Sequence, residues 1–501
     1  MPFWIKFWTG TCCFWRVKNT LLRMEFIAAA FLLPMFTPAI QANTNRPPSP
    51  IVQFWGGGRH TMVLLADGSV WTWGSNVAGK LGNNLSSVDY NDASNDSHVP
   101  VKVHGPGNVG YLNSIIAVSA GEGHNTALRS DGTVWTWGDN EFAQLGNGTT
   151  NNAWTPVQVI GLTNVVAISG RGYHSLALKS DGTVWAWGWN AEGQLGSGST
   201  ATTYVPVQVV GLTNPAAISA GYWISLARMS NGTVQVWGTD RKGEMGQGTT
   251  GGGLHSYTPI TVVGLSNVVS SAANFQEPNA LKSDGTIWMW GWNNLGQLGD
   301  GLTTDTNLPV QVLNLTNMIF AGPTGDRDNC ALKADHTIWI WGRNYNGQLG
   351  NGATDSVAHP FPAPMAAFGT APVVEVQTPD WHSLALESDG TLWGWGSNDH
   401  GQLGNGNTND AWIPGVVMWP VVAAPPGIML AGKKLANGAY QFNFTNNPGT
   451  LFAVLMTTNL SLSRSNWNPL GPASEISAGQ FQFTDPLTAI NPRRFYSVRT
   501  P

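Results

Sequence analysis

Four histidines, His60, His124, His174 and His382, each stand seven residues before the aspartate of an Asp-Gly pair. Imidazoles repeated at one position could ring a channel and hold a metal ion. Ile224, Glu277 and Asp328 occupy the same position in three further places, which breaks any such ring. One imidazole per repeat also lies far from the next, so a bond to its own or a neighbouring loop is the simpler role. The GDRDN stretch adds Asp326 and Asp328 beside Glu277 as oxygen ligands for a cation. A lone D-x-D falls well short of a full calcium loop. Cys330 sits in the apolar context NCALK and reads as a core thiol rather than a nucleophile. There is no G-x-S-x-G, no H-E-x-x-H and no phosphate-cradling glycine loop. These residues therefore predict no catalytic group, no metal and no cofactor. An enzyme or metal site in the channel is the alternative.

The elements that carry these residues recur along the chain. The glycine of Trp-x-Trp-Gly falls at Gly74, Gly138, Gly188, Gly238, Gly291, Gly342 and Gly396. Seven units with a period of about 52 residues predict a repeat architecture. Only Gln235 replaces the first Trp. Upstream of each pair lies an Asx-Gly turn such as Asp181-Gly182, replaced in the sixth unit by Asp335-His336. Such dipeptides supply the positive φ of a tight hairpin. Downstream come a Leu-Gly element, a Thr/Asn loop, a Pro-Val-x-Val strand and a small-residue strand such as Val165–Gly170. Each unit thus reads as four short strands, with no sustained helical period. Seven four-stranded units predict an all-β, seven-bladed propeller, which closes a ring and protects its edges. Small residues such as Ala167 and Ser169 suit the crowded axis. The tryptophans suit the wider gap between blades.

The segment GHNTALRSDGTVWTWGDNEFAQLGNG, from Gly123 to Gly148, closely resembles the regulator of chromosome condensation repeat. The resemblance covers roughly residues 51–420 and all seven units. It implies a seven-bladed propeller, in agreement with the spacing. The family's founding member is a nuclear exchange factor for a small GTPase that binds chromatin, which makes guanine-nucleotide exchange a second alternative. Exported bacterial members include a β-lactamase inhibitor that grips its enzyme with propeller-face loops.

Composition separates this chain from the nuclear setting. Only 11% of residues are charged, against roughly 25% in an average domain. The net charge is −5 and no long basic run occurs, so the footprint of a nucleic-acid binder is missing. Arg16, Lys18 and Arg23 precede the apolar run Phe26–Ile40, and small Ala42 follows. Residues 1–43 therefore read as a secretory signal peptide, with Met24 as an alternative start. The run is shorter than the roughly 20 residues of a spanning helix. No stable membrane span is expected after cleavage. The mature chain would keep only Cys330 and form no intrachain disulfide. Export without disulfides suits a secreted or envelope protein of a bacterium. Residues 44–50 and 420–427 read as linkers around a propeller of residues 51–419. Residues 428–501, with the alternating runs YQFNF and GQFQF, predict a small β-sandwich-like module. For ring closure, the first strand at Ile51 is expected to pair with the strand around Ile413–Val417.

Strand alternation puts the G-x-x-H and W-G-x-N loops on one face and the near-identical Asx-Gly turns on the other. The first face varies between units. Its first loops present Arg59, Glu122, Arg171, Tyr173, Tyr222, Trp223, Phe275, Gln276, Arg327, Asp380 and Trp381. Its second loops add Asp139, Trp189, Trp292, Arg343 and Tyr345. Aromatic and Arg residues anchor protein interfaces, and aromatics with Asn and Asp also stack on sugars. The reading is a monomeric, non-catalytic scaffold that binds a protein or carbohydrate partner here. Arg59, Glu122, Tyr173, Trp189, Tyr222, Trp223, Phe275, Trp292, Arg327, Arg343, Tyr345 and Trp381 are the predicted contacts. The first unit adds a long polar insertion, NNLSSVDYNDASNDSHV, which reads as a partner loop or a decoration. Mass spectrometry of the exported protein should find an N-terminus near residue 43. An N-terminus still at Met1 would exclude cleavage.

Overall fold

The computed structural model describes residues 46–249, 255–322, 325 and 327–420, together with strand segments between 431 and 499. The leader 1–43, Asp326 and nearly all of the linker 420–427 lie outside the described residues. Seven four-stranded antiparallel sheets cover residues 51–102, 115–158, 165–208, 215–261, 268–311, 318–364 and 373–416. We number these blades 1 to 7. In every blade the four strands pair in chain order. The only helical turn among the described residues is a short 3-10 segment, Pro106–Asn108.

Blade 3 shows how sequence becomes geometry. Its strands are Val165–Arg171, His174–Lys179, Val184–Gly188 and Thr203–Gln208. The Asp181 Oδ1 accepts from the Thr183 N–H at 3.0 Å and from its hydroxyl at 2.6 Å. The Trp185 indole N–H donates to that same hydroxyl at 3.1 Å. The turn thus holds the first Trp of the pair. At Gly188 the pairing with the outer strand slips, and φ reaches +101°. Such a slip recurs at the Trp-Gly step of all seven blades and bends the chain into its long loop.

The second Trp of each pair is fully buried. It packs on the blade before it, as Trp237 does against Leu176, Val184, Leu195 and Val209. By area, burying one such ring contributes roughly 4–6 kcal/mol as an upper bound. Its indole N–H donates to a carbonyl in the Leu-Gly loop of the preceding blade. The bond runs from Trp237 to Gln194 at 2.8 Å, and an equivalent exists at every junction. That close approach explains the glycine after the Leu. Gly196 has φ +64°, and a Cβ there would lie 2.8 Å from the Trp237 Nε1. On the axis side, small residues let inner strands touch: the Ser169 hydroxyl accepts from the Ala220 N–H at 2.9 Å.

Ring closure differs from the expected strand pairing. Ile51 pairs with Leu65 inside blade 1, and Ala411–Val416 pairs with Leu392–Gly396 inside blade 7. No strand is exchanged between the ends. Blades 7 and 1 instead meet through side chains, with Phe54, Trp71 and Trp73 packed on Leu384, Leu392 and Trp419. The repeat bond is kept there too, from Trp73 to the Gln402 carbonyl at 2.9 Å. Each blade is locally complete, so closure needs only one more copy of the same junction.

After residue 430 the strands form two antiparallel sheets, of four and three strands. The alternating runs pair as Tyr440–Thr445 with Gln480–Asp485, setting Phe442 opposite Phe483.

Gly196→Ala should destabilise the protein by more than about 1 kcal/mol in urea titration, through both backbone strain and the Trp237 contact. Gly198→Ala, at φ +78° with nothing near its added Cβ, carries the backbone strain alone and should cost less. Equal losses would show that the indole contact is not limiting.

Candidate functional site

The two loop families do meet on one face. The Tyr173 and Trp189 rings, from the first and second loops of blade 3, lie edge to face at 6.0 Å. From there an arc of rings crosses three blades. Tyr173 meets Tyr222 at 5.3 Å, with their hydroxyls hydrogen-bonded at 3.0 Å. Tyr222 meets Phe275 at 4.7 Å, and Phe275 packs on Trp223 at 5.4 Å and on Trp292 at 6.2 Å. Centroid spacings of 4.5–7 Å are those of favourable aromatic pairs. These rings are half-buried.

Arginines continue the arc. The Arg327 guanidinium lies 4.1 Å above Trp292. Arg343 lies 4.4 Å from the Trp381 ring and 5.4 Å from Tyr345. Arg59 stacks near Trp381 and donates to Asp399 at 2.9 Å and to the His400 Nε2 at 3.0 Å. Each stacked cation contributes about 0.5–2 kcal/mol and holds its ring in place. All twelve predicted contacts therefore lie on one face, but not at one depth. Arg343 is 2% exposed and supports Trp381 from beneath, whereas Tyr345 is 44% exposed.

At the centre of this face the charges cross the ring. Arg171 of blade 3 donates to Asp380 of blade 7 at 2.8 Å, and both are buried. Glu122 of blade 2 adjoins the pair. Burial and the Asp380 charge push its carboxyl far above the usual range. This mouth of the channel is thus filled by polar side chains.

Sequence reading missed four members of the face. Phe142 packs on Tyr173 at 5.0 Å and on Trp189 at 6.0 Å. It stands two residues after the Asn of W-G-x-N, a position that was readable as part of the same loop. Arg241 and Lys242 cover Trp223 and Trp292 from a similar loop position in blade 4. Tyr90 comes from the insertion of blade 1 and folds back over Lys80 and Arg59. No repeat pattern signals its position.

The histidines serve the blade junctions. His174 Nε2 lies 2.8 Å from the Ser225 hydroxyl of the next blade. That hydroxyl donates to the Gln194 carbonyl at 2.8 Å, which also receives Trp237. Having spent its proton, the hydroxyl accepts from the imidazole, which fixes the Nε2–H tautomer. His382 uses Thr61 and His60 uses Asn125 in the same way. Among the described residues no three His, Cys, Asp or Glu side chains converge as a metal site. Asp328 and Glu277 are buried in separate blades. Cys330 is buried as well, and burial pushes its thiol far up.

The RCC1-like domain family model matches residues 33–278 and 96–431. The chain is 35% identical over 130 residues to the ultraviolet-B receptor UVR8 of Arabidopsis thaliana, covering 26% of this chain and 29% of that protein. It is 32% identical over 155 residues to the RCC2 homolog of Danio rerio, covering 30% of each. It is 30% identical over 138 residues to the E3 ubiquitin-protein ligase HERC2 of Homo sapiens, covering 27% of this chain. The matched parts thus span between 3% and 30% of these relatives. Yeast RCC1 (Prp20), solved bound to Kap60, aligns with a TM-score of 0.60 at 20% identity, over 83% of this chain and 94% of that one. Human WBSCR16 aligns with a TM-score of 0.58 at 21% identity, over 68% and 88%. At these identities the two structures speak for the fold alone.

Burial holds His60, His124 and His174 down to about 3 and His382 to about 4. The unfolded chain therefore binds more protons as pH falls below about 6.5, and each imidazole costs up to about 1.4 kcal/mol per pH unit in that window. Glu244 and Glu122 act oppositely: burial raises them to about 7 and about 8, so their contributions are lost as pH rises through those values. Four histidines outweigh these two on the acid side. The melting temperature should peak near neutrality and fall from pH 6.5 to 4. His174→Gln should flatten that acid slope by about one proton; an unchanged slope would remove the histidines as its cause.

Proposed function

The chain belongs to the RCC1-like domain family, and we propose that it is a non-catalytic, exported scaffold that binds a protein or carbohydrate partner through one propeller face. The carrying observation is the aromatic–arginine arc from Phe142 through Tyr222 and Trp292 to Arg327. Half-buried rings locked by neighbours lose little conformational entropy on binding, which suits anchors of an interface. The Asx-Gly face repeats one turn around the ring, whereas the loop face differs from blade to blade. A partner read asymmetrically needs that variation. Fold alone does not choose among the roles this family supports. Export rests on the leader motif of residues 1–43. Among the described residues no helix is long and apolar enough to cross a membrane.

Trp223→Ala and Trp381→Ala in the full-length protein should each reduce capture of the partner found by pull-down from the source cell envelope. A loss of tenfold or more, about 1.4 kcal/mol, is expected for an anchor residue. Undiminished capture by both variants, with unchanged melting temperatures, would move the interface off this face.

A further inference from the structure

One corner of the loop face is built unlike the others. Between blades 1 and 2 the fold forms a half-open cavity of about 610 Å³. Its outer wall is the insertion of blade 1, through Ser86, Ser87, Val88 and Tyr90. Its inner wall comes from Glu122, Asp139, Glu141 and Phe142 of blade 2 and Tyr173 of blade 3. Trp154 closes the rim. Neither Lys nor Arg lines the cavity, while the Asp139 and Glu141 carboxylates and the Glu122 carboxyl do.

The walls are fixed. Phe142 and Tyr173 pack at 5.0 Å. Asp139 accepts from the Gln144 side-chain amide at 3.0 Å and from the Glu141 N–H at 3.2 Å. Trp154 leans on Gly79 of blade 1, and its carbonyl accepts from the Asn84 N–H at 3.0 Å. On the insertion side, the Asp96 carboxylate ties the loop to His400 of blade 7 at 2.6 Å and to the Asn76 N–H at 2.7 Å. Arg59 and Lys80 lie against Tyr90, and Lys80 donates to its hydroxyl at 3.2 Å. Even so, Trp154 is 49% exposed and Val88 86%. Large apolar groups thus stand open to water around an acidic floor.

We propose that this cavity takes a basic side chain, an arginine or lysine presented by a protein partner. The chemistry matches in both halves of such a side chain. Its methylene stem would lie along Phe142, Tyr173 and Trp154, and aromatic faces attract the cationic head. The head would reach the Asp139 and Glu141 carboxylates, which a guanidinium can bond as a pair. Burial and Asp380 keep Glu122 largely protonated near neutrality, so it meets the arriving head as a neutral acceptor while Asp139 and Glu141 supply the charge. The insertion that sets blade 1 apart then has a purpose: it supplies the wall that turns an open loop face into a pocket. This inference rests on the loop face being the partner surface and names the partner's chemistry at one point of it.

Saturation-transfer NMR on the full-length protein tests it, with acetyl-arginine methylamide as probe. Saturation should reach the γ and δ methylenes, acetyl-lysine methylamide should compete, and acetyl-glutamate methylamide should give no signal. The double variant Asp139→Asn with Glu141→Gln should weaken binding at least about tenfold at low salt, where exposed charges are least screened. Phe142→Ala should weaken it too. Equal binding of the glutamate probe, or full binding by a double variant with normal melting temperature, overturns the proposal, as does a chito-oligosaccharide that saturates the site while arginine does not. If arginine fails while Trp223→Ala still loses the partner, the pocket fails and the face stands. If arginine binds while Trp223→Ala and Trp381→Ala both keep the partner, the face fails and the pocket's basic ligand stands alone.

Discussion

One hydrogen bond sets the spacing of the whole ring. In every blade the indole N–H of the second Trp reaches a carbonyl of the blade before it, at 2.7–3.0 Å. Pairing a buried indole is favoured, because an unpaired donor costs about 1–3 kcal/mol. That pairing fixes the ring against one carbonyl and so fixes the blade-to-blade distance. The surrounding motif follows. Glycine after the Leu is required because a Cβ would strike the indole. The Leu is buried and its N–H is held by the Asn of W-G-x-N, as Leu195 is by Asn190 at 2.9 Å. The same Asn gathers the carbonyls of Ser199 and Ala201, shaping the loop toward the outer strand. A motif that looks like a string of favoured residues is one interaction and its supports.

That constraint also explains why the ring can close without exchanging a strand. Each junction is bonded independently, with a Trp in all seven and a second donor to the same carbonyl in six. Pro278 removes that second donor at the junction of blades 4 and 5. The closing junction gains extra ties instead. Gln377 donates to the Phe54 carbonyl at 2.8 Å, and Asp96 binds His400. The insertion of blade 1 thus joins blades 7 and 1 as well as lining the face.

Much of the fold was legible because its information is local and repeats. Trp-x-Trp-Gly, Asx-Gly and Leu-Gly mark the blades, and strand alternation places Tyr173 and Trp189 on one face. What escaped depends on curvature. The Arg171–Asp380 pair joins residues 209 apart that no period relates. The closure was misjudged because strand pairing was expected where side-chain packing does the fastening. Arg343 shares its loop position with Trp189 and Trp292, yet only the ring geometry sends it beneath Trp381. The histidines repeat like a ligand set. Their partner is the hydroxyl or amide of the next blade, visible only once the blades are placed side by side.

The loop face divides by chemistry because the scaffold beneath it does not vary. The indole bond recurs at all seven junctions, so a loop substitution changes the surface without disturbing the ring. Blades 3 to 5 carry packed aromatic rings, blades 6 and 1 send arginines onto rings that include Trp381 of blade 7, and blade 2 carries carboxylates beside the insertion. A surface arranged in this order around the channel is not self-similar under rotation by one blade. Any partner that matches its aromatic arc meets arginines on one side and carboxylates on the other. In the proposed complex, charge would therefore set the partner's register on the ring, and the aromatic rings would supply affinity.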